Sequence, residues 1–163
     1  MIRFVTALFF LLTMTAVAAA DPATWAKVLG EKGTAVPAAL AKAKRDMSPE
    51  EAGKIYPGAE QVSKYGFAYA AVKDIPGVVK LKFSFQPNKT SKQLELKFVS
   101  LELDPAILND KARWDDLLAA LVVKYGPVKK PEMIEKKIIT WVAQRKVVQL
   151  AKIGNELSLK AAL

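Results

Sequence analysis

The side chains that most often carry chemistry are missing from this chain. Its 163 residues include no histidine and no cysteine. Imidazole acid–base catalysis, thiol nucleophiles and metal centres built on Cys or His therefore cannot be assembled. Serine–lysine pairs are the remaining nucleophilic option. Ser63-Lys64 and Ser91-Lys92 are sequence neighbours in a strand and a turn, and no Ser-x-x-Lys falls in a helix that would align the two groups. Carboxylates occur together as Glu50-Glu51 and Asp115-Asp116. Adjacent residues on a helix point about 100° apart, so neither pair converges on one atom. Both pairs sit in the first turn of an expected helix, where the dipole favours negative charge. Neither has the third partner that a magnesium or calcium site needs. No glycine-rich phosphate loop is present, and a turn accounts for Asn88-Lys89-Thr90, which matches a glycosylation acceptor. The expectation is a protein that is not an enzyme, with no cofactor and no metal.

Charge is the remaining functional signal. Lys and Arg number 25 against 16 Asp and Glu, a formal net charge of +9. Such a balance favours anionic surroundings without choosing among them. Lys64, Lys80, Lys82 and Lys97 are the candidate partner-binding residues, a basic strip on the wet side of a sheet, although edge protection and solubility ask for the same lysines. Tyr65, Phe67 and Tyr69 share one face of a strand and suit a ligand pocket. A sheet face packed under a helix needs the same residues, and core is the reading taken for them.

Residues 1–20 have the three-part layout of a secretory signal peptide. Arg3 supplies the positive charge, Phe4 to Val17 the apolar core, and Ala18-Ala19-Ala20 a small-residue cleavage site before Asp21. The apolar run is short for a membrane span, so no stable span is expected after cleavage. Residues 21–163 are then enough for a single domain with its own core. An exported chain without cysteine points to the bacterial periplasm or the secreted medium, and to a fold held by its core alone. Export also makes nucleic acid an unexpected partner, and the basic residues form no arginine-rich helix or aromatic RNA-binding motif.

The elements that would position these residues can be read from periodicity. Thr24 to Leu29 and Pro37 to Arg45 are expected as short helices separated by Gly30 and Gly33. Ser48-Pro49-Glu50-Glu51 combines a cap, a proline suited to the first turn and a capping-box glutamate, opening a helix that Tyr56-Pro57-Gly58 ends. Three strands follow, at Val62–Val72, Val79–Gln86 and Leu94–Leu103. In the second, Val79, Leu81, Phe83 and Phe85 alternate with polar residues. The third carries Leu94, Leu96 and Phe98 and then shifts phase to Leu101 and Leu103, which predicts a bulge near Val99-Ser100. Lys111 to Tyr125 is an amphipathic helix, with Trp114, Leu117, Leu118, Leu121, Val122 and Tyr125 on one stripe. Asn109 or Asp110 can cap it and Gly126-Pro127 stops it. A polar loop at Lys129–Glu135 leads to strands at Ile138–Ala143, Val147–Ile153 and Glu156–Ala162. The order is helix and three strands, twice. This is an α+β fold with two layers, helices on one face of an antiparallel sheet, in which a helix-plus-three-strand unit is duplicated.

Two stretches resemble the helix-then-hairpin units of the beta-lactamase-inhibitor-like fold, which includes the small outer-membrane assembly lipoproteins of the SmpA/OmlA type. One runs from Met47-Ser48-Pro49-Glu50-Glu51-Ala52 to Tyr56-Pro57-Gly58. The other runs from Trp114-Asp115-Asp116-Leu117-Leu118 to Lys124-Tyr125-Gly126-Pro127, followed by strands bearing Trp141 and Val148-Gln149-Leu150. The resemblance covers about a quarter of the chain beyond residue 20 and implies a binding or scaffold protein without a catalytic site. It assigns no residue a role. The lipidated cysteine of the lipoprotein members is absent here.

The leading expectation is a non-enzymatic periplasmic binding or scaffold protein that contacts another envelope protein, or an anionic envelope component, through an exposed sheet face or loop. The alternative is a carrier holding a small apolar or anionic envelope ligand between helix and sheet, which requires an enclosed cavity lined by Phe and Tyr. A hydrolase would require converging carboxylates with shifted pKa values.

Overall fold

A computed structural model describes residues 22–73 and 75–163. The expected signal peptide and Asp74 lie outside the described residues. The chain forms α1 (Pro22–Leu29), α2 (Pro49–Ile55), β1 (Phe67–Ala71), β2 (Val78–Pro87), β3 (Leu94–Leu103), α3 (Lys111–Tyr125), α4 (Glu132–Glu135), β4 (Ile138–Ala143), β5 (Lys146–Ile153) and β6 (Glu156–Ala162). Single 3-10 turns occupy Ala38–Leu40 and Pro105–Asn109. The six strands make one antiparallel sheet in the order β1-β2-β3-β6-β5-β4. Each half of the chain contributes a three-stranded meander, and the two meanders join where β3 pairs with β6. The expected α+β architecture is therefore present.

Caps set the helix limits. Ser48 accepts from the Glu51 N–H at 3.2 Å while the Glu51 carboxylate accepts from the Ser48 N–H at 2.8 Å, which completes the capping box of α2. Asp110 caps α3 by accepting from the Arg113 N–H. Gly126 ends α3 with φ +94°, a conformation that a residue with a Cβ rarely adopts. The Ala/Lys-rich piece expected as a helix from Pro37 to Arg45 forms only its 3-10 turn. Leu40 and Ala43 are buried there while Lys42 and Lys44 point to solvent.

One row of side chains across the sheet defines the dry face. Ala70, Leu81, Leu101, Leu159, Leu150 and Ile139 stand opposite one another in register from β1 to β4, and all six are buried. Trp25, Leu29 and Leu40 from the first half of the chain and Trp114, Leu117 and Leu121 of α3 join them in one core. Burying each such large side chain stabilises the fold by roughly 1.5–3 kcal/mol. Buried Lys124, in the last turn of α3, ties the loop after α1 to this layer: its ammonium donates to the Glu31 carbonyl at 2.9 Å and to Thr34 Oγ1 at 2.7 Å.

Two bulges correct the expected faces. Ser84 pairs with Phe98 and Phe85 with Leu96, so Lys97 is the extra residue of β3 and the phase changes there, ahead of Val99-Ser100. Phe98 is thereby turned to the opposite face from Leu96. In β2, Val78 pairs with Leu103 and Lys80 with Glu102, which leaves Val79 as an extra residue, exposed instead of buried. In β1 the alternation holds but the faces are opposite to those expected. Ala68 and Ala70 are buried, whereas Tyr65 and Tyr69 are exposed. Ala68 and Ala70 share one core cluster with Ala52 and Ala59 of the preceding segment.

Candidate functional site

The helices α1 and α3 pack in the core with the dry face, and the opposite face of the sheet carries the candidate site. Two further rows, both read from strand register, cross that outer face completely. The first is Tyr69, Lys82, Ser100, Lys160, Gln149 and Thr140. The second is Ala71, Lys80, Glu102, Ser158, Ala151 and Ile138. Side chains in neighbouring register positions of an antiparallel sheet stand about 4.5–5.5 Å apart at Cβ, so each row is a line of touching groups.

Lysines and rings interleave on this face. The Lys80 ammonium lies 4.3 Å from the Tyr69 ring centroid, Lys82 lies 4.5 Å from that of Phe67, and Lys160 lies 4.0 Å from that of Phe98. Each cation–π contact at an exposed site is worth about 0.5–1 kcal/mol. The contact steadies a long side chain against a rigid ring and leaves the remaining N–H groups free for a ligand anion. Lys64, in the turn before β1, sits 5.0 Å over the Tyr65 ring, which is 73% exposed.

Of the four lysines expected to act together, Lys80 and Lys82 share this face and Lys64 flanks it. Lys97 is engaged otherwise. As the bulge residue of β3 it forms ion pairs with Asp46 and with Glu95, the latter at 2.6 Å. Its donation to the Asp46 carboxylate, and then to that of Glu95, holds its ammonium above the usual lysine range. Lys160 and Phe98 extend the interleaved surface. Their place depends on the pairing of β3 with β6, which joins residues about sixty apart and leaves no local mark on the sequence. The solvent-facing alternation of Glu156, Ser158 and Lys160 was the only available signal.

Glu102 lies within this basic face and is itself buried at 6% exposure, and its Oε1 has no hydrogen-bond partner among the described residues. Burial pushes its carboxyl above the ordinary glutamate value and Glu156 adds to that, while the Lys82 and Lys80 ammoniums pull it back. At the other end of the face, over β4 and β5, the outer side chains are uncharged. Val142 (69% exposed) stands opposite Val147 (51% exposed) and Ile138 opposite Ala151.

Clefts of about 260, 460 and 360 Å³ open beside β4, between α1 and Ile75-Pro76, and between the loop after α1 and Gln144. None of these three is lined by phenylalanine or tyrosine. Among the described residues no group of three or more carboxylates could hold a metal ion, and no helix is long and apolar enough to cross a membrane. Comparison with family models, with curated proteins and with solved structures finds no match to the chain.

Proposed function

We propose that this chain is an exported, non-enzymatic binding protein of the bacterial periplasm that uses its outer sheet face against an acidic surface of another envelope protein. The observation that carries this reading is the interleaving of Lys80, Lys82 and Lys160 with Tyr69, Phe67 and Phe98 on the face opposite the core. Aromatic rings supply apolar area at low entropic cost and lysines select negative charge, a combination suited to a protein contact of moderate affinity. The net charge of +9 works in the same direction by steering an anionic partner inward. The signal-peptide layout of residues 1–20 supports the location. The SmpA/OmlA-type resemblance, with its binding and scaffold roles, is in keeping with the reading.

The carrier alternative draws no comparable support. It asks for a chamber between helix and sheet, where Phe83, Leu101, Leu117 and Leu121 belong to one fully buried cluster.

Pull-down from nuclease-treated envelope extract tests the proposal. Wild-type protein, a Lys82→Glu/Lys160→Glu double variant and a Lys27→Glu/Lys42→Glu control on exposed lysines of the helical half are compared at low and high salt. The wild type and control should retain the same acidic protein at low salt. The face variant should bind it at least about tenfold more weakly, a loss of about 1.4 kcal/mol. Equal retention by all three would overturn the proposal.

A further inference from the structure

The two lateral edges of the sheet are finished differently. At β1, Phe67 is covered by its own approach: its N–H donates to Ser63 Oγ at 3.2 Å and its carbonyl accepts from the Ser63 N–H at 2.8 Å. Gly58 presses against the Tyr69 carbonyl on the same strand. β4 has no such cover. Its hairpin to β5 closes through Gln144 and Arg145, both left-handed with φ +51° and +62°, so Ala143 and Lys146 form the bonded closing pair. At the far end the Lys152 N–H donates to the Lys137 carbonyl at 2.8 Å. Bonded and non-bonded pairs alternate between these limits. Ile139, Trp141 and Ala143 therefore turn their backbone groups toward β5, and Ile138, Thr140 and Val142 turn theirs outward. Among the described residues no backbone group bonds to those three on the open side.

Charge specifies what can pair there. Natural edges are commonly protected by a lysine or proline within the strand, and Ile138–Ala143 has neither. Both ends are basic instead. Lys129, Lys130, Lys136 and Lys137 outnumber Glu132 and Glu135 before the strand, and Arg145 and Lys146 follow it. A second copy paired antiparallel about Thr140 would bring the two net-positive ends together, which disfavours self-assembly. A strand with acidic ends would meet opposite charge at both. The cleft of about 260 Å³ lined by Val128, Met133, Ile139 and Thr140 lies beside the edge and offers room for an inward-facing apolar side chain.

We propose that the outer edge of β4 is a strand-addition site for an extended protein segment with an uncharged, β-branched centre and acidic ends. This inference rests on the reading of the chain as a binding protein for an acidic partner, and adds a main-chain contact to it. The probe is the peptide Asp-Glu-Thr-Val-Thr-Val-Thr-Asp-Glu, compared with a version carrying lysines in place of its four acidic residues. Amide hydrogen exchange of the protein is read by NMR. With the acidic peptide the Ile138, Thr140 and Val142 amides should exchange at least about tenfold more slowly, while those of Ile139, Trp141 and Ala143 stay unchanged. Thr140→Pro should abolish the effect without removing a ladder hydrogen bond, because that N–H faces outward. Val142→Lys, which adds an edge charge at an exposed site, should weaken it likewise and serves if the proline variant does not fold. No slowing with the acidic peptide, equal slowing with the lysine version, or protection of the same amides by self-association of the free chain would overturn the inference. The Lys82→Glu/Lys160→Glu variant should keep the slowing at β4 while losing the envelope partner, so the edge and the face can fail separately.

Discussion

Glu102 is the residue whose environment most clearly opposes its chemistry. A buried carboxylate oxygen without a donor costs roughly 1–3 kcal/mol, and Glu102 Oε1 is in that position on the outer face. In the unfolded chain the carboxyl ionises at its ordinary value, whereas in the folded chain burial holds the proton to higher pH. Its ionisation therefore weakens the fold above the raised value, and that penalty is relieved as pH falls through the raised value toward the ordinary one. Glu102→Gln should raise stability by about 1 kcal/mol at pH 7 and by almost nothing at pH 4, as measured by urea unfolding at both pH values. A gain that does not depend on pH would mean that ionisation is not the source of the strain. Residue type was legible here and environment was not. Glu102 follows Leu101 in an apolar strand, and only the neighbouring strands show that it lies between Lys80 and Ser158.

At the scale of elements, most of the fold could be read from local patterns. The capping box of α2 and the Asp110 cap are fixed by a few adjacent residues and have their expected geometry, whereas Gly126 stops α3 with a positive φ but an extended ψ of 177° in place of the left-handed helical one. Period-two alternation named the residues that share a face in β1, but it cannot say which face is dry. The packing of the whole sheet decided that in favour of Ala68 and Ala70, which are buried. The bulges at Val79 and Lys97 were resolved only by strand pairing. The helical stripe of α3 omitted Lys124, because a lysine was not expected at 3% exposure. Burial pushes its ammonium below the usual lysine range, with Glu31 pulling it partly back. Its two hydrogen bonds hold the Glu31–Thr34 loop on α3, beside the bond from the Gly33 N–H to the Lys124 carbonyl. Lys124→Ala should destabilise the protein by about 1–3 kcal/mol and speed amide exchange at Gly33, measured by unfolding and by NMR. Unchanged Gly33 exchange would show that the loop is held by other contacts.

At the scale of the whole molecule, six strands are covered by helices on one side and display interleaved lysines, aromatics and aliphatics on the other. The architecture was legible because strand runs, turns and helix stops recur in the same order in both halves. The composition of the outer face was less so, since the rows through Lys82 and Lys160 form only when the two meanders join at β3 and β6. That face is where a partner is expected to sit. Site-specific photo-crosslinking in intact cells tests it most directly, with a photoreactive phenylalanine analogue placed at Tyr69 or Phe98 on the outer face, or at exposed Ala119 or Val123 on α3. Crosslinks to one acidic protein are expected from Tyr69 and Phe98, and none to it from Ala119 or Val123. Crosslinks to that protein from the helix positions alone would contradict this placement of the partner.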